Sequence, residues 1–363
     1  MTITFSYPRE FDALSLDPPH FRSSLLAWDA DGTRIACART DKSIKVARFD
    51  PIRQKFDDSV VITAAHESPV AVLIWDPRTN ARLTSISTDS TFKVWEIKTK
   101  AHKLVRSFKL PNTAPTLAKY SLDGRYLAIA DKEATLLLLD SSTLQLNTAI
   151  SLKMSSRIGD IDWHTDSKTL LCGLADGSLQ LYRVRNNNGL HAIELIQSLH
   201  LADSPIVSIK YIADRNQILA AALDGQLPVV DAQLLICTKS LYNLDDAPVC
   251  IDILTPAVAI GYQNNNARIF DMDSEEEVHE VKNSKGDGAL ARFHPQSREV
   301  LAYIDGSGKA TVMVAKKRTG PARAQPRPVS SRGRGPGLSG SSGPSRTVRS
   351  DRFERPNAKR PKY

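Results

Sequence analysis

The sequence predicts an all-β fold in which seven repeated units of four short strands form a seven-bladed β-propeller. Two repeating features support this prediction. The first strand of each unit ends in a large side chain, and these recur 40 to 48 residues apart, at Trp28, Trp75, Tyr120, Trp163, Tyr211, Ile253 and Phe293. The second strand leads into a turn with an Asp or Asn, at Asp41, Asp89, Asp131, Asp176, Asp224 and Asn264. This period is typical of propeller blades.

The second unit shows the pattern most fully. Three short apolar runs separated by polar turns indicate an antiparallel meander: VAVLIW at 70–75, RLTSIS at 82–87 and FKVWEI at 92–97. Its polar landmarks are His66, Ser87, Asp89 and Trp95. Their order and spacing resemble the structural tetrad of a WD-repeat (WD40-type) blade, in which buried polar groups share hydrogen bonds. The alternative, a Ser-His-Asp hydrolase triad, lacks a Gly-x-Ser-x-Gly turn around Ser87.

Domain boundaries follow from the strand count. Units one to six each have a fourth, outer strand, but unit seven runs directly into a different composition after residue 315. The alternating run Thr2–Tyr7 is a spare strand, and we expect it to complete blade seven and close the ring, which removes open sheet edges. The propeller is therefore predicted over 1–315. Residues 316–363 are rich in Pro, Gly, Ser and Arg, and are predicted to be a disordered tail.

Charge and composition limit the functions that need to be considered. The 363-residue chain has a net charge of +8, of which the tail supplies +12 and the rest −4. The four cysteines have no metal-ligand spacing, and neither a secretory signal nor an apolar run of about 20 residues is visible. We expect an intracellular protein without membrane contact. No phosphate-binding loop or His pair suggests a cofactor, a metal, a small-molecule substrate or catalysis.

Two groups of carboxylates are further candidates for binding. Asp160 and Asp162 share one face of a first strand, because side chains two residues apart point the same way. We interpret them as facing the channel or a partner rather than as an acid–base pair. The acidic run from Asp271 to Glu277 in blade six is either a solvated loop or a docking patch for a basic partner.

The tail carries candidates for RNA contact and nuclear import. Its arginines on a flexible backbone can contact phosphates and stack on bases. The candidates for RNA contact are Arg323, Arg327, Arg332, Arg334, Arg346, Arg349, Arg352 and Arg355. Lys359, Arg360 and Lys362 resemble a short import signal. A tail that only increases solubility is the alternative.

Five stretches resemble blades of the WD-repeat subunit of the THO complex. They are WDADGTRIACARTDKSIKV, YSLDGRYLAIADKEATLLLLD, DIDWHTDSKTLLCGLADGSLQLY, HLADSPIVSIKY and ALARFHPQSREVLAY. The resemblance implies a non-catalytic nuclear subunit of the TREX assembly, which couples transcription to mRNA packaging and export. It also implies docking on large helical THO subunits and other TREX components. The alternative is a WD-repeat scaffold of another nuclear assembly, for ribosome biogenesis or chromatin modification.

Overall fold

The described residues form seven antiparallel sheets of four strands each. The computed structural model describes residues 11–18, 20–111, 114–146, 149–187, 190–243, 246–264, 266–281 and 290–316. Blades one to three comprise β2 (Ser23–Trp28), β3 (Arg34–Arg39), β4 (Ile44–Asp50), β5 (Lys55–Ile62), β6 (Val70–Trp75), β7 (Arg82–Ser87), β8 (Thr91–Ile97), β9 (His102–Lys109), β10 (Pro115–Tyr120), β11 (Tyr126–Asp131), β12 (Thr135–Asp140) and β13 (Ile150–Lys153). Each blade takes four consecutive strands, so the predicted meander is confirmed.

Blades four to seven continue the same order. They comprise β14 (Ile158–Trp163), β15 (Thr169–Leu174), β16 (Ser178–Asn187), β17 (Leu190–His200), β18 (Ile206–Ile212), β19 (Gln217–Ala222), β20 (Gln226–Asp231), β21 (Ile236–Asn243), β22 (Pro248–Leu254), β23 (Ala257–Tyr262), β24 (Ala267–Asp271), β25 (Glu276–Val281), β26 (Leu290–His294), β27 (Ser297–Ile304), β28 (Ala310–Ala315) and, in blade seven, β1 (Phe11–Ser15). The first strands of neighbouring blades contact one another in a complete ring, from β2 round to β26 and back. The seven-bladed architecture is confirmed.

The strand that completes blade seven is Phe11–Ser15, which corrects the expectation that Thr2–Tyr7 fills this position. It pairs antiparallel with β28, with Phe11 opposite Ala315 and Ser15 opposite Thr311. Thr2–Tyr7 lies outside the described residues. Thr2–Tyr7 alternates regularly in polarity and Phe11–Ser15 does not, so alternation alone favoured the wrong segment. The distinction comes from the residue directly after β1, because Leu16 enters the apolar core shared by blades seven and one.

The described residues form seven apolar core clusters, and each lies between two neighbouring blades. Second strands are buried on both faces because each blade is packed between two others. Their sequences are accordingly almost continuous apolar runs, such as YLAIAD in β11 and AVAIGY in β23. Among the described residues, no helix is long and apolar enough to span a membrane.

The repeating aspartates close the turns between second and third strands. Asp41 accepts the backbone N–H of Ser43 at 3.0 Å, and Asp176 accepts that of Ser178 at 3.0 Å. An Asp side chain bonded to the backbone two residues on forms an Asx-turn, which fixes a tight reversal. The periodic carboxylates that reveal the repeat are therefore engaged in building it.

One glycine marks a very close approach between blades four and five. A Cβ added at Gly159 would lie 1.9 Å from the carbonyl oxygen of Ile206. Gly159 also lies at a bulge in β14, where the register shifts between Ile158 and Asp160. Because only glycine lacks a Cβ, this position permits backbone contact between neighbouring blades.

Candidate interaction surfaces

A buried polar network in blade two joins His66, Ser85 and Trp95. The Ser85 hydroxyl lies 2.7 Å from Nε2 of His66 and accepts a 2.9 Å hydrogen bond from the Trp95 indole N–H. The indole can only donate, so the Ser85 oxygen is the acceptor in that bond, while the direction of the bond to His66 depends on the imidazole tautomer. Burial, with a smaller contribution from Lys93, lowers the pKa of His66 to about 4. The network is therefore neutral near pH 7.

The serine of this network is Ser85, which corrects the prediction of Ser87. Both serines lie on one face of β7, so their spacing could not distinguish them. Trp95 lies opposite Leu83 in the β7–β8 pairing. Ser85 is the next residue of β7 on the face of Leu83, whereas Ser87 lies two residues farther from Trp95. Ser87 accepts the backbone N–H of Asp89 at 3.3 Å instead.

Asp89 closes the following turn rather than bonding to the histidine. It accepts the backbone N–H of Thr91 at 2.9 Å. Burial alone would raise the pKa of Asp89, but hydrogen bonds from Thr91, Ser87 and Ser68 lower it to about 2. Among the described residues, Nδ1 of His66 has no hydrogen-bond partner. With Ser85 fully buried, this geometry is that of a structural network and not of a nucleophilic triad.

A belt of charged side chains lines the inner strands of blades three to seven. Each belt residue directly precedes the large side chain at or next to the end of its first strand, and the charges alternate: Lys119, Asp162, Lys210, Asp252 and Arg292. Lys119 pairs with Asp162 at 2.5 Å, and Lys210 pairs with Asp252 at 2.9 Å. In blades one and two the same position holds apolar residues, Ala27 and Ile74.

Carboxylates near this belt also bind the backbone of the next blade. Asp160 accepts the backbone N–H of Ile209 at 2.9 Å, and Asp162 accepts that of Tyr211 at 2.8 Å. Asp252 accepts the backbone N–H of Phe293 at 2.8 Å. First strands have no partner strand on their inner side, so these contacts satisfy backbone donors there. Asp160 and Asp162 thus connect blade four to blade five.

Neighbouring charges oppose the effect of burial on the pKa of Asp252 and of Lys210. Burial alone would raise the pKa of Asp252, but Lys210 and Arg292 outweigh this and hold the pKa below its ordinary value. Burial would lower the pKa of Lys210, and Asp252 holds it above its ordinary value. Each charge therefore depends on its neighbours in the adjacent blades.

The acidic segment of blade six is engaged within the chain. Asp271 accepts the backbone N–H of Asp273 at 2.8 Å and so closes a turn. The neighbouring carboxylates form ion pairs, namely Arg215–Asp273 at 2.6 Å, Lys239–Glu275, and Arg268–Glu277 at 3.8 Å. Arg215 and Lys239 belong to blade five, so this segment bridges two blades. Three of its five carboxylates are thus paired within the chain, and these three side chains remain partly exposed.

A buried ion-pair cluster at the junction of blades seven and one was not anticipated from the sequence. Asp17, two residues after the end of β1, receives two hydrogen bonds from Arg39, at 2.5 and 3.1 Å. The amine of Lys45 lies 3.2 Å from the same carboxylate. Burial alone would raise the pKa of Asp17, but Arg39 and Lys45 hold it below its ordinary value. One signal was available: an arginine ends the otherwise buried strand RIACAR, and a buried arginine needs an anion.

A groove of about 1090 Å³ lies between blades three and four. Its lining carries charges of both signs: four basic side chains, Arg125, Lys168, Arg183 and Arg185, and three acidic ones, Asp123, Asp140 and Glu194.

Metal binding and the tail were also considered in the sequence. Among the described residues, no three His, Cys, Asp or Glu side chains are placed to hold a metal ion. The RNA-contact and import candidates of the tail, from Arg323 to Lys362, lie outside the described residues.

This architecture and sequence are similar to those of known proteins. No family model matches the chain. The crystal structure of the Cps50 (Swd1) β-propeller domain of Myceliophteria thermophila superimposes with a TM-score of 0.66, covering 83% of this chain and 99% of that one at 16% identity. The WD repeat-containing protein AAC3 of Dictyostelium discoideum is 20% identical over 235 residues, 60% of this chain and 48% of that protein. The chain has the β-propeller fold and is similar in sequence to WD-repeat proteins.

Three other similar proteins have different roles in their names. Eukaryotic translation initiation factor 3 subunit I of Pyricularia oryzae is 26% identical over 202 residues, 53% of this chain and 56% of that protein. The ribosome biogenesis protein WDR12 homolog of Dictyostelium discoideum is 22% identical over 161 residues, 43% of this chain and 33% of that protein. THO complex subunit 3 of Arabidopsis thaliana is 20% identical over 139 residues, 38% of this chain and 42% of that protein. These matches span about half or less of each relative.

Proposed function

We propose that this chain is a non-catalytic scaffold subunit of a nuclear assembly of the THO/TREX type, which couples transcription to mRNA packaging and export. The scaffold role is supported by one observation: the polar residues of the repeat make their contacts within the chain. The turn aspartates bind backbone N–H groups, the serine of blade two is fully buried, and the belt carboxylates bind neighbouring blades. Groups that could have served catalysis hold the ring together, and a rigid ring presents faces and grooves to partners.

The THO assignment is supported by the five resembling stretches and by the similarity to THO complex subunit 3. Its test is affinity purification of the tagged full-length chain from nuclease-treated extract, followed by mass spectrometry. We expect large helical THO-type subunits at stoichiometric recovery. Nuclease treatment is the control that removes partners bridged only by RNA.

A second candidate is a WD-repeat scaffold in ribosome biogenesis or chromatin modification, and the similarity to the WDR12 homolog favours the former. The same purification separates the two. Recovery of ribosome-assembly factors without THO-type subunits would replace the first proposal by the second. A translation initiation complex recovered from cytoplasmic extract would contradict both, because each requires a nuclear location.

We assign RNA contact to the tail because of the charge division, +12 over residues 316–363 against −4 over the rest. Filter binding of single-stranded RNA to the full chain should weaken with salt at a slope of about −0.7 per phosphate contacted. Changing the eight candidate arginines from Arg323 to Arg355 to Ser should abolish binding and leave the melting temperature unchanged. Equal binding by the eight-Ser variant would move the contact to the propeller.

A further inference from the structure

A groove of about 250 Å³ lies between blades one and two, beside the turn that connects β8 to β9. Val46, Val60 and Ile97 contribute apolar walls. All three are buried, with 3%, 6% and 2% of their surface exposed. Little of each side chain is accessible, so the three form only a narrow aliphatic floor, with room for about one inserted side chain above it.

The rim of the groove is basic. Arg34, Arg48 and Lys98 line it, and Asp58 is the acidic residue among them. Lys100 comes next in the same turn; it is 80% exposed and lies 3.7 Å from Asp58. Four cations therefore surround one carboxylate, in a body whose charge is otherwise negative.

Two of these cations face each other in an arrangement that costs stability. Arg34 and Arg48 lie directly opposite in the β3–β4 pairing, and like charges in opposed positions repel. Arg34 is held by hydrogen bonds of 2.8 and 3.1 Å to the carbonyls of Asn80 and Ile97, which do not neutralise its charge. Within the described part of the chain, no ion pair is formed by Arg48. An anion at this position would relieve the repulsion.

Exposed apolar and basic side chains continue from the groove along β9. Leu104 and Val105 are 43% and 47% exposed, and Lys103 and Lys109 are exposed on the same strand. Neighbouring strand side chains point to opposite faces. Leu104 lies opposite Trp95, which packs in the core between blades one and two, so Leu104 is the residue that extends the aliphatic surface on the groove side. Such exposed apolar area beside a charged rim is typical of protein interaction sites.

We propose that this groove docks an acidic polypeptide segment of a partner protein, with one aliphatic side chain between Val46, Val60 and Ile97 and carboxylates against Arg48, Lys98 and Lys100. The inference rests on the proposed role as an interaction subunit, but not on the identity of the assembly. The partner segment is expected to be extended and rich in Asp and Glu around a Leu, Ile or Val.

The lining favours a peptide over a nucleic acid. Proteins that bind single-stranded RNA combine a basic groove with aromatic rings on which bases stack. The described lining of this groove contains aliphatic, basic and hydroxyl side chains and one carboxylate, Asp58, but no aromatic ring. On β9, Phe108 is itself stacked on Phe92, with ring centroids 4.6 Å apart. A second copy of this chain is disfavoured as the occupant, because its acidic segment in blade six is paired internally.

The test is site-resolved photo-crosslinking on the full-length chain. The probe is a synthetic ten-residue peptide of Glu and Asp with a central Leu next to a benzophenone group. Mass spectrometry locates each crosslink, so contacts to the groove are separated from contacts to the basic tail. We expect crosslinks in β4, β5 and 97–105, and weaker crosslinking when Ser replaces the central Leu.

Two triple variants with the same charge change make the test specific. The groove variant is Arg48→Glu, Lys98→Glu and Lys100→Glu. The control variant is Arg125→Glu, Lys132→Glu and Lys168→Glu, at exposed positions of blades three and four. Groove crosslinks should fall at least tenfold in the first and less than twofold in the second, with the melting temperature of both close to that of the unchanged chain.

Several results would overturn the inference. Equal loss in both variants would mean attraction by net charge alone, and no loss in the groove variant would exclude the groove. A uridine oligonucleotide that competes for the same crosslinks more strongly than the peptide would make it a nucleic-acid surface. Dimers lost only in the groove variant would make it a contact between copies. Purification of the unchanged chain without THO-type subunits would contradict the proposed assembly while leaving this test intact.

Discussion

Removing the carboxylate of Asp17 should strongly destabilise the propeller, because this side chain fixes the segment that closes the ring. In Asp17→Ala the Arg39 guanidinium, whose side chain is 5% exposed, loses its anion. Removing one partner of a buried pair typically costs about 3–5 kcal/mol. Arg39 keeps its position over the Phe21 ring at 4.0 Å, and Lys45 keeps its 2.6 Å bond to the Leu16 carbonyl. We therefore expect a loss of about 3 kcal/mol in the free energy of unfolding.

The matched control is Asp12→Ala on the same closing strand. Asp12 lies 3.9 Å from Lys316, and the two side chains are 59% and 48% exposed. Exposed pairs contribute about 0–1 kcal/mol, so the control should change stability little. The double variant Asp17→Leu, Arg39→Met removes both buried charges and should recover much of the loss. Urea titration followed by tryptophan fluorescence measures all three.

The pH dependence gives an independent check with the isosteric Asp17→Asn. The native pKa of Asp17 is lowered, so its stabilisation is fully present above the unfolded pKa of about 3.9 and is lost as pH falls through the native pKa. The advantage of the unchanged chain over Asp17→Asn should therefore shrink in acid. The reasoning is refuted if Asp17→Ala costs no more than Asp12→Ala, or if that advantage grows below about pH 4.

Three further outcomes are expected from the described contacts. Ser85→Ala deprives a buried indole and a buried imidazole of their partner, at about 1–3 kcal/mol each, so its urea midpoint should lie well below that of Ser87→Ala; equal midpoints would contradict the blade-two network. Gly159→Ala places a methyl group against a carbonyl oxygen of blade five, so calorimetry should show a lower melting temperature. Asp252→Ala leaves Lys210 unpaired and should cost about 3–5 kcal/mol, whereas Asp252→Leu with Lys210→Met should cost much less.

The architecture could be predicted because its determinants are local and repeated. Each blade needs buried strands, tight turns and a large side chain at the end of its first strand, and these leave a period in the sequence. The aspartates were recognised by their spacing, and the structure supplies the cause: they accept backbone N–H groups in the turns, as Asp41 and Asp176 do. A pattern that repeats for a physical reason can be identified from one sequence.

The positions that were predicted wrongly, or not at all, depend on contacts between distant segments. Ser85 and Ser87 have the same local pattern, and only the register between β7 and β8 selects Ser85. The choice of Phe11–Ser15 as the closing strand depends on its pairing with β28, about 300 residues away. The cluster around Asp17 joins a unique N-terminal segment to blade one. None of these contacts recurs along the chain, so periodicity carries no information about them.

The seven blades contain two different kinds of buried polar contacts. Blades three to seven carry the alternating belt, while blades one and two have Ala27 and Ile74 at that position. Those two blades contain the buried networks of Asp17 and Ser85 instead. Apolar residues at two of the seven positions show that the fold accepts them there, which is why we expect paired apolar replacement of Lys210 and Asp252 to be tolerated.

Because the Asp17 cluster and the belt lie in different blades, we expect the stability losses from disrupting each to be additive. The contacts of Asp17 lie in the first blade and those of Asp252 in blades five to seven, with no shared partner among the described residues. Losses from Asp17→Ala and Asp252→Ala should therefore add within about 0.5 kcal/mol. Urea titration of the two single variants and the double variant measures this directly. A double variant that loses far less than the sum would mean that opening the ring at blade one already disrupts the belt, and that closure and belt form one cooperative unit.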